Sequence, residues 1–258
     1  MHFEKWEGLG NDFVLVEEPI GAEQAALLCD RRRGVGADGV LILQRSEDAD
    51  VPLRMVVLNA DGSRPEMCGN GLRCAAAWFT ARDTESRLRF GIATDAGPRA
   101  CQVDVRQDTV FVGADMGHAR VGEPYRYPAE GRSRRFIPVD VGNPHAVCLE
   151  PTESGELDDV GPHLEAHIQG GTNVELCRLL DPQTIEVEVW ERGVGRTLAC
   201  GTGACAVAAA AAAHEKAPFE APIEVRLPGG ALFVTVGPNF SLHMRGPARR
   251  VFVGEWSG

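Results

Sequence analysis

Two short segments of this chain pair a nucleophilic side chain with a backbone suited to binding an anion: Glu66-Met67-Cys68-Gly69-Asn70-Gly71 and Leu198-Ala199-Cys200-Gly201-Thr202-Gly203. In each, a cysteine precedes Gly, a small polar residue and Gly, and a helical, alanine-rich run follows. The glycines allow close approach of N–H groups, and a helix N-terminus carries about half a positive charge. The same field is expected to lower a thiol from its usual value of about 8.5. Such a thiol is poised as base, acid or nucleophile. Cys74 and Cys205, a turn or more inside their helical runs, read instead as small apolar core residues.

The two cysteines stand 132 positions apart, and the same offset relates Gly10-Asn11 to Gly142-Asn143, Gly39 to Gly171, and Asn59 to Glu191. Four anchors in one register predict two similar half-chains. The expected division is residues 1–114, completed by residues 249–258, and residues 115–248. A duplicated fold closing on itself would bring the two helix starts to one cleft, with a thiol on each side of one carbon. That is what two-base racemisation needs: one thiolate removes a proton and the opposing thiol supplies one.

The proton in question is the α-hydrogen of an amino acid. Its carbanion is ordinarily stabilised by pyridoxal phosphate on a lysine, but the chain has only Lys5 and Lys216, neither flanked by a phosphate cradle. Helix N-terminal N–H groups gripping the α-carboxylate are the alternative. No cofactor and no metal are expected.

The elements that must position these groups are mostly short strand-like runs broken by Gly, Pro, Asn and Asp, among them FVLVEE, GVLILQ, LRMVVLN, NVELCRL and IEVEVWE. Four helical stretches interleave with them: Ala22 to Asp30, Gly69 to Thr84, Leu157 to His167 and Gly201 to His214. The two that follow the cysteine motifs are nearly featureless in polarity, as expected for helices wrapped by sheet. The fold class is α/β, of the α+β kind. The polar, Pro-containing stretch from Arg120 to Arg135 opens the second half.

With 258 residues and a net charge of −11, the chain repels phosphate backbones and anionic headgroups, which argues against nucleic-acid and membrane-surface roles. The apolar stretch Ala204 to Ala213 is too short to span a bilayer. Eight cysteines without a C-x-x-C pair or an export signal read as reduced thiols in a cytoplasmic protein. Gly34 to Gly39 matches G-x-G-x-x-G, but a charged segment precedes it and a strand follows, the wrong context for a dinucleotide site. His163 and His167 read as solvent-facing helix residues rather than metal ligands.

The motifs KWEGLGNDFVLV, RRGVGADGVL, LNADGSRPEMCGNGLRC, VDVGNPHAV, GTNVEL, WERGVG and ACGTGACA, in that order, resemble the diaminopimelate epimerase family from end to end. The resemblance implies cofactor-independent interconversion of L,L- and meso-diaminopimelate for lysine and peptidoglycan synthesis. It implies two pseudo-symmetric domains, each a curled, mostly antiparallel sheet around a central helix, with the active site in the cleft between them, and a homodimer. Cys68 and Cys200 become the thiol pair. Gly69-Asn70 and Gly201-Thr202 contact the α-carboxylate, while Asn11, Asn59, Asn143, Asn173, Glu191 and Arg192 contact substrate. His145 lies beside the reacting amino group.

On residue type alone, Asn11, Asn59 and Asn173 are equally turn formers, and Arg192 beside Glu191 is equally a surface ion pair. A distal carboxylate would favour bidentate Arg192 recognition. Two positions depart from the family pattern. Gly39 stands where Gln is frequent, and Arg196 stands where Glu is usual, reversing a charge expected close to Cys200. Two other functions compete: a two-thiol racemase of a different amino acid, and a thiol hydrolase or transferase using Cys200 with His145 as base.

Overall fold

The computed structural model describes residues 1–106, 109–129, 132–153 and 155–257, with the side chains of 106, 109, 129 and 132 left aside. It divides into two compact units, Met1–Asp115 with Arg245–Gly258, and Met116–Met244. The chain passes from the first to the second within one strand and returns within another.

The first unit contains β1 (His2–Gly8), β2 (Asn11–Val16), α1 (Ala22–Cys29), β3 (Gly39–Arg45), β4 (Leu53–Asn59), α2 (Gly69–Thr80), β5 (Arg89–Thr94), β6 (Gly97–Arg106) and most of β7 (Thr109–His118). The second contains β8 (Arg120–Val121), β9 (Tyr125–Ala129), β10 (Arg132–Asp140), β11 (Pro144–Cys148), α3 (Glu156–His167), β12 (Asn173–Asp181), β13 (Thr184–Glu191), β14 (Gly195–Thr197), α4 (Gly201–Ala213), β15 (Pro222–Leu227) and β16 (Gly230–Val236). β17 (Ser241–Glu255) begins in the second unit and ends in the first, where it pairs antiparallel with β1.

Strand pairing repeats from unit to unit. β1–β2 and β10–β11 are antiparallel, β2–β3 and β11–β12 parallel, and β3–β4 and β12–β13 antiparallel. Then β4–β5 and β13–β15 are parallel, and β5–β6 and β15–β16 antiparallel. The register corrects one sequence anchor. Phe13 pairs with Gly39, and its counterpart His145 pairs with Asn173, so Gly39 corresponds to Asn173 and not to Gly171. The intervening helix has 8 residues in the first unit and 12 in the second, and the offset of 132 fails at β3 and β12 but returns at Asn59 and Glu191, the last residues of β4 and β13.

Each sheet carries helices on both faces. Val14, Val16, Val40 and Ile42 pack with Ala25, Leu28 and Cys29 of α1, and Ala146, Cys148, Val174 and Leu176 pack with Leu157, Val160 and Leu164 of α3. Because side chains alternate along a strand, Phe13 and Leu41 in one unit, and His145, Asn173 and Glu175 in the other, point to the face covered by α2 or α4. α4 packs against β10, β11, β12, β15 and β16. Its residues Ala204–Ala212 are buried without exception, the small side chains letting the sheet close round a strong helix former.

Three local expectations change. α2 ends at Thr80, four residues early, because the chain turns at Ala81 and carries the Arg82 guanidinium over the Trp78 ring at 4.6 Å. The Arg120 to Arg135 stretch forms β8, β9 and the start of β10, its polar residues alternating on a hairpin, with residues 130 and 131 outside the described ones. β5 and β14 were also not apparent as strands; β14 is 3 residues long and held by pairing to β13. Among the described residues, no helix is long and apolar enough to cross a membrane.

Candidate functional site

Both helix starts are built the same way. Cys68 and Cys200 occupy the N-cap with extended backbone, their carbonyls accept from Leu72 and Ala204 at 2.8 and 3.0 Å, and their sulfurs accept from Gly71 and Gly203 N–H at 3.4 and 3.3 Å. The thiol thus does the capping that a serine or aspartate usually does. The glycine after each has a packing reason. A Cβ at Gly71 would lie 2.9 Å from Leu41 Cδ2, and one at Gly203 would lie 2.8 Å from Glu175 Oε1. Leu41 and Glu175 are therefore equivalent positions beneath the two helix starts.

Around Cys200 the second unit gathers Asn143, His145, Glu175, Glu191 and Thr202. Thr202 Oγ1 is 3.4 Å from the sulfur and accepts from Asn143 Nδ2 at 3.4 Å. Asn143 Oδ1 is 3.1 Å from His145 Nε2, and Glu175 Oε1 is 2.6 Å from His145 Nδ1. Gly142, at φ +99°, makes the turn that sets Asn143 there. Glu191 lies close enough to Cys200 for its carboxylate to act on the thiol, and it accepts from Thr197 Oγ1 at 2.6 Å.

These surroundings reverse the expected effect on the thiol. A helix terminus offers about 0.3–1 kcal/mol, whereas burying an ion costs several kcal/mol. Burial, with the Glu191 and Glu175 carboxylates, pushes the Cys200 thiol well above its ordinary range despite the Thr202 and Gly203 hydrogen bonds. Burial also raises Glu191, against the Thr197 hydrogen bond.

Asn173 and Arg192 form a second cluster. Asn173 Nδ2 donates to Pro144 O at 2.8 Å, and its Oδ1 accepts from Arg192 N–H at 3.0 Å. Arg192 Nη1 donates to Gly170 O at 2.9 Å, its side chain lying across Gly171. Glu165 of α3 fastens the turn that follows β13, accepting from Trp190 Nε1 and Gly193 N–H, each at 2.7 Å. Both bonds hold the Glu165 carboxyl below its ordinary range.

In the first unit, Asn11 Oδ1 is buried with no hydrogen-bond partner among the described residues, although its counterpart Asn143 is engaged. Asn59 Nδ2 donates to Ser63 Oγ at 2.9 Å. Asn70 Oδ1 accepts from the fully buried Arg73 at 2.8 Å. Gly39 carries no polar group, and a Cβ there would lie 2.8 Å from the Leu58 carbonyl.

Arg196 is not close to Cys200. Its guanidinium binds Glu188 at 2.6 Å and Asp158 at 2.9 Å, because strand alternation turns Thr197 toward Glu191 and Arg196 away. Gly34 to Gly39 ends α1, with Gly34 N–H bonding Asp30 O and Val35 and Gly36 N–H bonding Leu28 O. His163 and His167 are exposed, their rings tilted at 40° with centroids 4.1 Å apart. Glu175 and Thr197 went unnoticed in the sequence. Glu175 alone left a signal, a carboxylate inside an otherwise apolar run two residues after Asn173.

The model of the family "Diaminopimelate epimerase" matches residues 3–122 and 137–251. The diaminopimelate epimerase of Desulforudis audaxviator is 41% identical over 286 residues, 99% of each chain, and that of Carboxydothermus hydrogenoformans 39% over 279 residues, also 99% of each. Among solved structures, a hydroxyproline epimerase from Agrobacterium vitis with bound trans-4-hydroxy-L-proline superposes with TM-score 0.74 at 17% identity, covering 98% of this chain and 91% of that one. A predicted epimerase from Pseudomonas aeruginosa gives 0.73 at 15% identity, covering 100% and 99%. These two likenesses concern the fold, whereas the family match and the relatives near 40% identity settle membership. This chain belongs to the diaminopimelate epimerase family.

Proposed function

We propose that this protein is an isomerase that epimerises L,L-diaminopimelate to meso-diaminopimelate, a step toward lysine and peptidoglycan, using Cys68 and Cys200 as paired acid and base. The observation that carries the reading is the cysteine-capped helix start, present once in each unit. One thiol removes the α-proton and the other delivers a proton to the opposite face. The N–H groups of Gly69-Asn70 and Gly201-Thr202 hold the α-carboxylate where negative charge develops, as helix N-termini do for anions. Asn11, whose buried Oδ1 has no partner among the described residues, suits an ammonium donor. Asn59, Asn143 and Asn173 complete the polar lining, with Glu191 and His145 on the side of the amino group. Arg192 receives the distal carboxylate in place of the Gly170 carbonyl.

A hydrolase reading would have His145 activate Cys200. In this structure the ring nitrogens of His145 meet Glu175 and Asn143, while the sulfur meets Thr202 and Gly203. The reading asks for no cofactor. It places the enzyme among reduced thiols in the cytoplasm, working as a homodimer. Val251, Phe252 and Val253 of β17, each about half exposed, suit such a subunit contact.

The test is a panel of amino acids followed by exchange of solvent deuterium into the α-position. L,L-diaminopimelate is expected to exceed lysine, which lacks the distal carboxylate, by about two orders of magnitude in kcat/KM. Arg192→Met is expected to remove most of that gap. Faster exchange of another amino acid would replace the proposed substrate.

A further inference from the structure

The second unit buries a carboxylate for which the capped thiol and the substrate contacts give no use. Glu175 is fully buried, its Oε1 meets His145 Nδ1 at 2.6 Å, and its Oε2 has no hydrogen-bond partner among the described residues. Leaving a buried carboxylate half satisfied is costly, typically several kcal/mol. A requirement of packing alone would be met by an apolar residue, as it is in the first unit: Leu41 occupies the equivalent place, with Phe13 standing where His145 stands.

From Glu175 a continuous polar chain leads to the sulfur. It runs from Glu175 Oε1 to His145 (2.6 Å), from His145 Nε2 to Asn143 Oδ1 (3.1 Å), from Asn143 Nδ2 to Thr202 Oγ1 (3.4 Å), and from Thr202 Oγ1 to Cys200 Sγ (3.4 Å). A carboxylate only accepts, so the hydrogen it receives must reside on Nδ1. We propose that Glu175 is a positioning residue: it fixes a hydrogen on His145 Nδ1 and so orients the ring with Nε2 facing Asn143 Oδ1, to which Nε2 donates when the ring carries its second hydrogen, while Asn143 in turn donates to Thr202 beside Cys200. The inference rests on the reading of Cys200 as an acid/base in epimerisation. The hydrogen bond of Glu175 goes to His145 and not to the sulfur, so beyond the charge it sets beside Cys200 it acts through His145. A glutamine in its place could accept from or donate to Nδ1, and so would no longer fix the hydrogen on Nδ1 while keeping the shape.

The test combines spectra with kinetics. Long-range 1H–15N spectra of histidine-labelled wild-type protein at neutral pH, with His145 assigned by the His145→Gln variant, are expected to show a hydrogen on His145 Nδ1. Glu175→Gln is expected to lose or split that signature and to lower kcat at least about tenfold, with KM within about threefold, while Tm moves by no more than about 4 °C. Glu175→Leu, which copies the first unit, is expected to show the larger loss of kcat.

A His145 without a hydrogen on Nδ1 in the wild type would overturn the proposal. So would wild-type kcat in Glu175→Gln, or a loss carried by KM. Should Glu175→Gln fail to fold, the wild-type spectrum decides. Should wild-type protein not exchange the α-hydrogen of diaminopimelate, the functional reading fails by itself, and the spectra still show whether Glu175 sets His145.

Discussion

The two units share strand order, pairing and a cysteine-capped helix, yet they place their buried polarity in different places. Beneath α2 the first unit puts Leu41 and Phe13; beneath α4 the second puts Glu175 and His145. The first unit keeps its buried charges elsewhere. Lys5 binds Asp12 at 2.7 Å and the Gly36 carbonyl, and Arg73 is held by Asn70 and the Pro247 carbonyl. These groups join β1, β2, α2 and β17. Cys68 is half-buried whereas Cys200 is fully buried beside two carboxylates. A repeated scaffold thus presents two thiols in unlike surroundings. That suits a reaction in which one group must give a proton while the other takes one.

The sharpest way to break this comparison is to add the same methyl group to both helix starts. Alanine in place of glycine favours a helix by about 1 kcal/mol, so the outcome turns on what the Cβ meets. At Gly71 it meets the end of the Leu41 side chain, which can shift, whereas at Gly203 it meets a buried carboxylate 2.8 Å away and the Cys200 sulfur at 3.3 Å. Gly203→Ala is expected to lower kcat about tenfold or more, and Gly71→Ala by less than about threefold, each read by α-deuterium exchange. Equal losses would mean that the polar and apolar linings are equivalent in function.

A smaller effect concerns thiol reactivity. With burial and the Glu191 and Glu175 carboxylates raising its pKa, Cys200 is expected to react slowly with iodoacetamide at pH 8 and faster as pH climbs beyond the ordinary thiol range. Glu191→Gln removes a negative neighbour, which favours the thiolate, and should speed Cys200 alkylation several-fold at fixed pH. Peptide mapping reads the rate, and no acceleration would show that Glu191 does not govern the sulfur.

Much of this was legible in the sequence because it depended on local chemistry. Cys-Gly-x-Gly before an alanine-rich run specifies a capped, buried helix, and the structure begins α2 at Gly69 and α4 at Gly201. What escaped depended on pairing across strands. The correspondence of Gly39 with Asn173 needs the register of β2 on β3 and of β11 on β12, since the preceding helices differ in length. Arg196 read as a reversed charge near the thiol because distance along the chain was taken for distance in space; one step of alternation put Thr197 there instead. Glu175 drew no notice because a glutamate in a strand is ordinarily solvated, and only the α4 packing shows this one to be buried. The direction of the Cys200 shift likewise depends on burial and on Glu191 and Glu175, which the helix-field argument did not contain.

The central claim, that each unit supplies one thiol to a single epimerisation, is tested most directly by single-thiol replacement. Cys68→Ala, Cys200→Ala and Cys74→Ala would be compared in deuterium oxide with L,L-diaminopimelate, measuring meso product and its α-deuterium, with no cofactor or metal added. The account predicts that Cys68→Ala and Cys200→Ala each lose at least about a thousandfold of the epimerisation rate. Cys74→Ala, whose buried thiol is driven far up by desolvation, should stay within a few-fold of wild type. Near wild-type epimerisation by either Cys68→Ala or Cys200→Ala would contradict it.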